Sequence, residues 1–197
     1  MADPHLGHRA GRLRRRGQPG GRAGRPAAAG RGTPERNRGP RSEGATVSVI
    51  PPIHREVLVD ADPATAFEVF TSRIGQWWPL AELSVYGAGA TVAFAGGQIV
   101  ERAADGREAV WGTVTRWEPA AAVAFSWHPG RSPDRASRVE VTFTAAGPQT
   151  LVTLSHAGWE AFDDPAAASA EYGSGWPMVL ARYRDEAAQP DQALPFR

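Results

Sequence analysis

The hydrophobic pattern of the chain changes period twice. After Pro51-Pro52, the run IHREVLVD alternates, with Val57 and Val59 on one side and Glu56, Leu58 and Asp60 on the other, which predicts a first strand. Asp62-Pro63 then supplies an N-cap and a proline at the first helical position, and Phe67, Phe70 and Ile74 recur at i, i+3 and i+7. A helix of about three turns is predicted, ending at Gly75, with Pro79 preventing its continuation.

From residue 90 onward the period falls to two. The runs TVAFA, QIVERA, REAVWGTVTRW, AVAFSWH, SRVEVTFT and TLVTLSH are separated by turn signals, among them Gly96-Gly97 and Asp105-Gly106. With the first strand they make seven, joined by connections too short for parallel crossovers, so the sheet is predicted to be antiparallel. Val123, Phe125 and Trp127 share one face, as do Val139, Val141 and Phe143, while Arg138, Glu140, Thr142 and Thr144 face the other way. Strict alternation also groups Trp111 and Trp117 with Thr113 and Thr115 and predicts that both rings stand outside. Such a sheet needs a cover on its apolar side. Asp164-Pro165 repeats the cap-plus-proline start, and Trp176, Val179, Leu180 and Tyr183 return to helical spacing. Gly173, Gly175 and Pro177 predict a break in that segment, with a short helix before Gly173 and a longer one after it. The class is α+β: about seven antiparallel strands curved around a long C-terminal helix, with room for a ligand between them.

Charge divides the chain. Residues 1–45 hold 11 of the 22 basic residues against three acidic ones, a balance of +8, which leaves −7 for the remainder. A domain of that sign repels nucleic acid and anionic lipid, so no nucleic-acid partner is expected through it. The first 45 residues contain 11 Arg, 10 Gly, 5 Pro and 7 Ala, with Leu6 and Leu13 as the only large apolar side chains after Met1. That composition cannot bury enough surface to offset ordering entropy and predicts a disordered tail over residues 1–46. It is read in two ways: as a basic arm, or, preferably, as a leader translated from GC-rich DNA ahead of a native start at Val47. The globular domain is placed at 47–190 and a short tail at 191–197. Cysteine is absent, so disulfides and thiolate chemistry are excluded. No apolar run is long enough for a membrane span or a secretory signal, and a cytoplasmic location is the default expectation.

Several motifs occur together in order: EVLVDADPATAFEVFT, the WWP at Trp77 to Pro79, GTVTRWEP ending at Pro119, AFSWHPG at Ala124 to Gly130, LSHAGW at Leu154 to Trp159, and GWPMVL at Gly175 to Leu180. In these, residues 50–188 resemble the START-like, or SRPBCC, superfamily with its helix-grip fold. Within it the chain looks most like the family named after the C-terminal domain of the activator of heat shock protein 90 ATPase. The resemblance implies one of three roles, since superfamily members bind hydrophobic small molecules, act as cyclases, or serve as chaperone cofactors.

The residues of the domain offer few catalytic groups. His128 and His156 end two strands and can approach each other at one rim, where imidazoles serve as acid and base near neutral pH; strand-end hydrogen bonds are the plainer reading. His54, His128 and His156 lack metal-ligand spacing, so no metal is expected, and no cofactor motif is present. Asp164 of the Asp163-Asp164 pair is read as an N-cap. Of Glu101 and Arg102, one faces inward, and an inward arginine would hold a ligand carboxylate. Seven tryptophans are the sharper signal. In GQWWPL the Trp77 and Trp78 rings are expected to diverge, one closing the core and the other lining a cavity mouth. The leading expectation is a hydrophobic or aromatic small molecule held by Trp78, Phe94, Phe125, Trp127, Phe143 and Trp176, with His156 and Tyr183 as polar tips. A chaperone-associated module with a filled interior is the second, and a cyclase or hydrolase-like enzyme using His128 or His156 the third. A monomer or weak homodimer is expected.

Overall fold

The structure is a computed structural model and describes residues 49–189; the expectations for 1–46 and 191–197 lie outside them. Strand β1 (Ile53–Val59) is followed by helices α1 (Pro63–Ser72) and α2 (Ile74–Trp77). Six strands come next: β2 (Thr91–Ala95), β3 (Gln98–Arg102), β4 (Glu108–Glu118), β5 (Ala122–Trp127), β6 (Ser137–Ala146) and β7 (Gln149–Ala157). Helix α3 (Pro165–Ala187) ends the fold. The sheet order is β1-β7-β6-β5-β4-β3-β2, antiparallel at every pairing, so the meander is closed at one end by the first strand. Its inner face and the three helices bury Val59, Phe70, Trp77, Val123, Val141, Leu154, Leu180 and Tyr183 in one core. This is the curved sheet and long C-terminal helix that the alternation implied.

The starts of both longer helices are set by their caps. Asp62 Oδ1 accepts from Ala64 N at 2.9 Å and Thr65 N at 3.1 Å, and Asp164 Oδ1 accepts from Ala167 N at 3.0 Å. The first helix does not stop at Gly75. It breaks at Arg73 (φ −109°, ψ 19°), and Gly75 sits inside the short α2, where a Cβ would lie 3.0 Å from the Val92 carbonyl oxygen. That glycine serves close packing of α2 on β2.

The predicted break in the C-terminal segment is absent, and α3 runs 23 residues through Pro177. A proline within a helix leaves the carbonyl four residues back without its usual donor. Here that carbonyl is Gly173 O, and Arg55 Nη2, reaching across from β1, donates to it at 2.9 Å. A side chain 118 residues away thus replaces the missing helical hydrogen bond.

The outward placement of Trp111 and Trp117 is corrected by two bulges in β4. Ile99 pairs with Gly112 but Val100 with Val110, making Trp111 an extra residue; Val114 pairs with Phe125 but Arg116 with Ala124, making Thr115 another. Each insertion reverses the facing of the residues beyond it, and the second undoes the first. Trp111 is fully buried, and Trp117, though 46% exposed, packs its ring at 5.1 Å from Phe67 and 5.8 Å from Phe94.

Candidate functional site

Four indoles meet where α2, the middle of the sheet and α3 converge. Trp78 comes directly after α2, Trp111 sits on the first bulge, Trp127 ends β5 and Trp176 lies mid-way along α3. The Trp78 ring centroid is 5.3 Å from Trp111, 5.4 Å from Trp127 and 6.2 Å from Trp176. Beside them opens a cavity of about 330 Å³. Its outer wall is the segment Glu82, Leu83, Ser84 and Val85, and its α3 side is formed by Tyr172, Gly175 and Val179.

The outer wall is held by a carboxylate. Glu101, fully buried on β3, accepts at 2.8 Å from each of three donors: Val85 N, Tyr86 N and Trp111 Nε1. It therefore fixes the loop and one indole of the site together. Arg102 points out and pairs with Glu108, so the inward group of this pair is the acid. Trp78 adds a second tether, with Nε1 donating to Leu83 O at 2.6 Å.

Trp77 closes the core, 3% exposed, with Nε1 donating to Val69 O at 2.9 Å. The two rings of GQWWPL nevertheless stay in contact, 5.7 Å apart and tilted by 55°. Of the sequence-derived wall residues, Trp78, Trp127 and Trp176 line the cavity. Phe94 and Phe125 pack on each other at 5.9 Å, Phe143 sits between Phe67 and Phe70, and the Tyr183 hydroxyl donates to Ala66 O at 2.9 Å. These four are core, because α1 carries two phenylalanines onto that part of the sheet. The loop wall carries no periodicity that would mark it in the sequence. Trp111 is hidden from the alternation by the bulge.

The histidines stand apart in role. His54 is exposed, and His128 is buried with Nδ1 3.3 Å from Arg131 O. His156 lies behind Trp176, outside the cavity wall. Ser137 Oγ donates to Trp127 O at 3.1 Å, so it accepts from His156 Nε2 at 2.8 Å, while His156 Nδ1 accepts from Trp176 Nε1 at 3.1 Å. This chain of bonds fixes the neutral Nε2–H tautomer. Burial pushes its pKa down from 6.5 to about 3. Its stabilising contribution is thus complete above pH 6.5 and is lost as pH falls toward 3, because the unfolded chain binds the proton first. Stability should drop by about 2 kcal/mol between pH 8 and pH 5 from this group alone. Denaturant melts of wild type and His156→Phe at both pH values check this: the variant should lose that part of the slope, and an unchanged slope would contradict it.

Among the described residues no cluster of His, Asp and Glu is arranged to hold a metal, and no helix is long and apolar enough to cross a membrane.

An antiparallel sheet curved on one long helix, with an aromatic cavity between loop, sheet and helix, defines the helix-grip class. The chain belongs to the family of Activator of Hsp90 ATPase homolog 1-like proteins, whose model matches residues 60–185. Similar solved structures include an anthrahydroquino-gamma-pyrone synthase, 32% identical over 70% of this chain and 97% of that one (TM-score 0.49). A conserved protein of unknown function from Enterococcus faecalis is 21% identical over 72% and 74% (TM-score 0.50). The Aha1 dimer of Colwellia psychrerythraea is 16% identical over 69% and 95% (TM-score 0.47). No curated protein matches the chain at a significant level.

Proposed function

We propose that the protein binds a flat, largely apolar aromatic small molecule in the four-indole cavity. The observation that carries this reading is the convergence of Trp78, Trp111, Trp127 and Trp176 on one space of about 330 Å³, the lower end of the range used for small-molecule sites. Indole faces and edges reward an aromatic partner by about 0.5–1.5 kcal/mol per ring pair beyond area burial. Three of the four rings are already tethered through their N–H groups, to Leu83 O, Glu101 and His156, so little ordering is left for the ligand to impose.

Gly175 supplies the test. It lines the cavity, and a Cβ placed on it would meet no atom of the described residues within 4 Å, so a larger side chain there occupies the site without crowding the core. Wild type should melt roughly 10 °C higher with a two- or three-ring aromatic present at about 100-fold over its Kd. Gly175→Leu should melt at or above wild type without ligand, since leucine is the better helix former, and should show no response. A wild-type Tm that stays fixed across a panel of such compounds at their solubility limits would contradict the proposal.

The family description supports a second reading, a chaperone-associated module, and Leu83, Val85 and Met178 at 39%, 40% and 41% exposure are the apolar side chains such a contact would use. That reading expects a filled interior, and the cavity weighs against it. An enzyme built on His156 is disfavoured by the hydrogen bonds that occupy both of its ring nitrogens.

A further inference from the structure

The acid that holds the outer wall has no counter-charge. Glu101 is fully buried, and its oxygens only accept: Oε1 from Tyr86 N, and Oε2 from Val85 N and Trp111 Nε1, each at 2.8 Å. That is the bonding of an ionised carboxylate. Among the described residues it makes no ion pair, because its neighbour Arg102 turns outward to Glu108. Acids this deeply buried are seldom found without a cationic partner. Val85 and Trp111, two of the three groups that hold the carboxylate, are themselves walls of the cavity, so the cavity is where a counter-charge can stand.

The lining itself points to the same sign of ligand charge. It includes Glu82 and Glu171 and, among the described residues, no basic side chain. Glu82 is partly offset by Arg182 at 3.6 Å, both half-exposed. Glu171, on the α3 side, makes no ion pair among the described residues. Arg131 borders a second cavity, where Ala161 O at 3.0 Å and the Phe162 ring at 3.7 Å occupy its guanidinium. A cleft lined by charge of one sign focuses its field on the space inside. Four indoles add to this, since tryptophan is the side chain whose ring face attracts a cation most strongly. Trp78 is inclined to Trp111, Trp127 and Trp176 by 54°, 55° and 82°, so the rings form a cage and not a stack.

We propose that the ligand of the four-indole cavity is a cation, a flat aromatic ring system carrying a protonated amine, and that Glu171 at the rim and Glu101 behind the wall select its charge. The inference rests on the aromatic-ligand reading and adds the sign of the charge. The indoles take the ring, the two carboxylates favour the ammonium, and the same field turns away an aromatic acid.

Equilibrium dialysis with three naphthalenes of similar size tests it: 2-naphthylmethylammonium, its uncharged isostere 2-ethylnaphthalene, and 2-naphthoate. Wild type should bind the ammonium at least as tightly as the ethyl compound and about tenfold more tightly than the carboxylate. Glu171→Gln should narrow the ammonium-to-carboxylate ratio about threefold and leave 2-ethylnaphthalene within about twofold, because Glu171 is exposed and screened. Glu101→Gln should narrow the ratio about fivefold, and taking a ratio cancels any loss common to all three probes. A carboxylate that binds as tightly as the ammonium in wild type overturns the proposal, as does an ethyl compound that binds more tightly than the ammonium or a ratio unchanged in both variants. In each of these cases binding of 2-ethylnaphthalene leaves the aromatic cavity standing. If none of the three probes binds, the cavity reading itself fails. Should Glu101→Gln not fold, the wild-type order and Glu171→Gln decide.

Discussion

Gly112→Ala should destabilise the protein by about 4 kcal/mol and release Trp111 from the cavity wall. Gly112 lies directly after the first β4 bulge, and a Cβ built on it would fall 1.8 Å from the Ser126 carbonyl oxygen and 2.9 Å from its carbon. Both obstacles are backbone of the adjacent strand, so no side-chain rotation relieves them. Moving β5 away breaks the Thr113 N to Ser126 Oγ bond at 2.9 Å and the His128 N to Trp111 O bond at 2.6 Å. Those two contacts hold Trp111 and the end of β5 in register, and with them the Trp111 and Trp127 rings that stand 5.7 Å apart. Urea melts measure the loss, and near-ultraviolet circular dichroism reports the tryptophan environment. Wild-type stability in the variant would mean that the strands are not this close.

Glu101→Ala is the second large effect, about 3 kcal/mol of stability together with at least a tenfold loss of affinity for an aromatic probe. The substitution strands three N–H donors, of which Trp111 Nε1 is buried away from water and those of Val85 and Tyr86 lie in the loop. Val85 and Tyr86 can turn to solvent, and the loop that forms the outer wall then loses its anchor. Glu101→Gln should fall between that variant and wild type: its oxygen still accepts, but its amide sets a donor against a donor. If Glu101→Ala leaves both stability and affinity unchanged, the carboxylate does not organise the wall.

The strands are legible in the sequence because their faces differ: the alternation of Val123, Phe125 and Trp127 with Ala124 and Ser126 reports directly which side is buried. The departures are long-range. Pro177 reads locally as a helix breaker, and only the guanidinium of Arg55 on the far strand makes the helix continuous. The bulges at Trp111 and Thr115 depend on the register of two neighbouring strands, which no single run of residues encodes. Glu101 and Arg102 are equivalent by pattern, and the choice between them is made by three N–H donors, two from a loop that has no period of its own. At the site, residue type alone is enough to nominate indoles such as Trp78, Trp127 and Trp176. The division of aromatic residues into cavity and core depends on side-chain volume: Phe67 and Phe70 of α1 fill the space over Phe143, and among the described residues no side chain fills the space beside Trp78.

An aromatic ligand among the four indoles is tested most directly by intermolecular nuclear Overhauser effects from bound 2-acetylnaphthalene. Contacts from its ring protons to Trp78, Trp127 and Trp176, absent in Gly175→Leu, are the expected result. Contacts confined to the exposed side chains Leu58 or Met178, or to Trp117 on the opposite stretch of the sheet, with none to those three indoles at saturation, would contradict it.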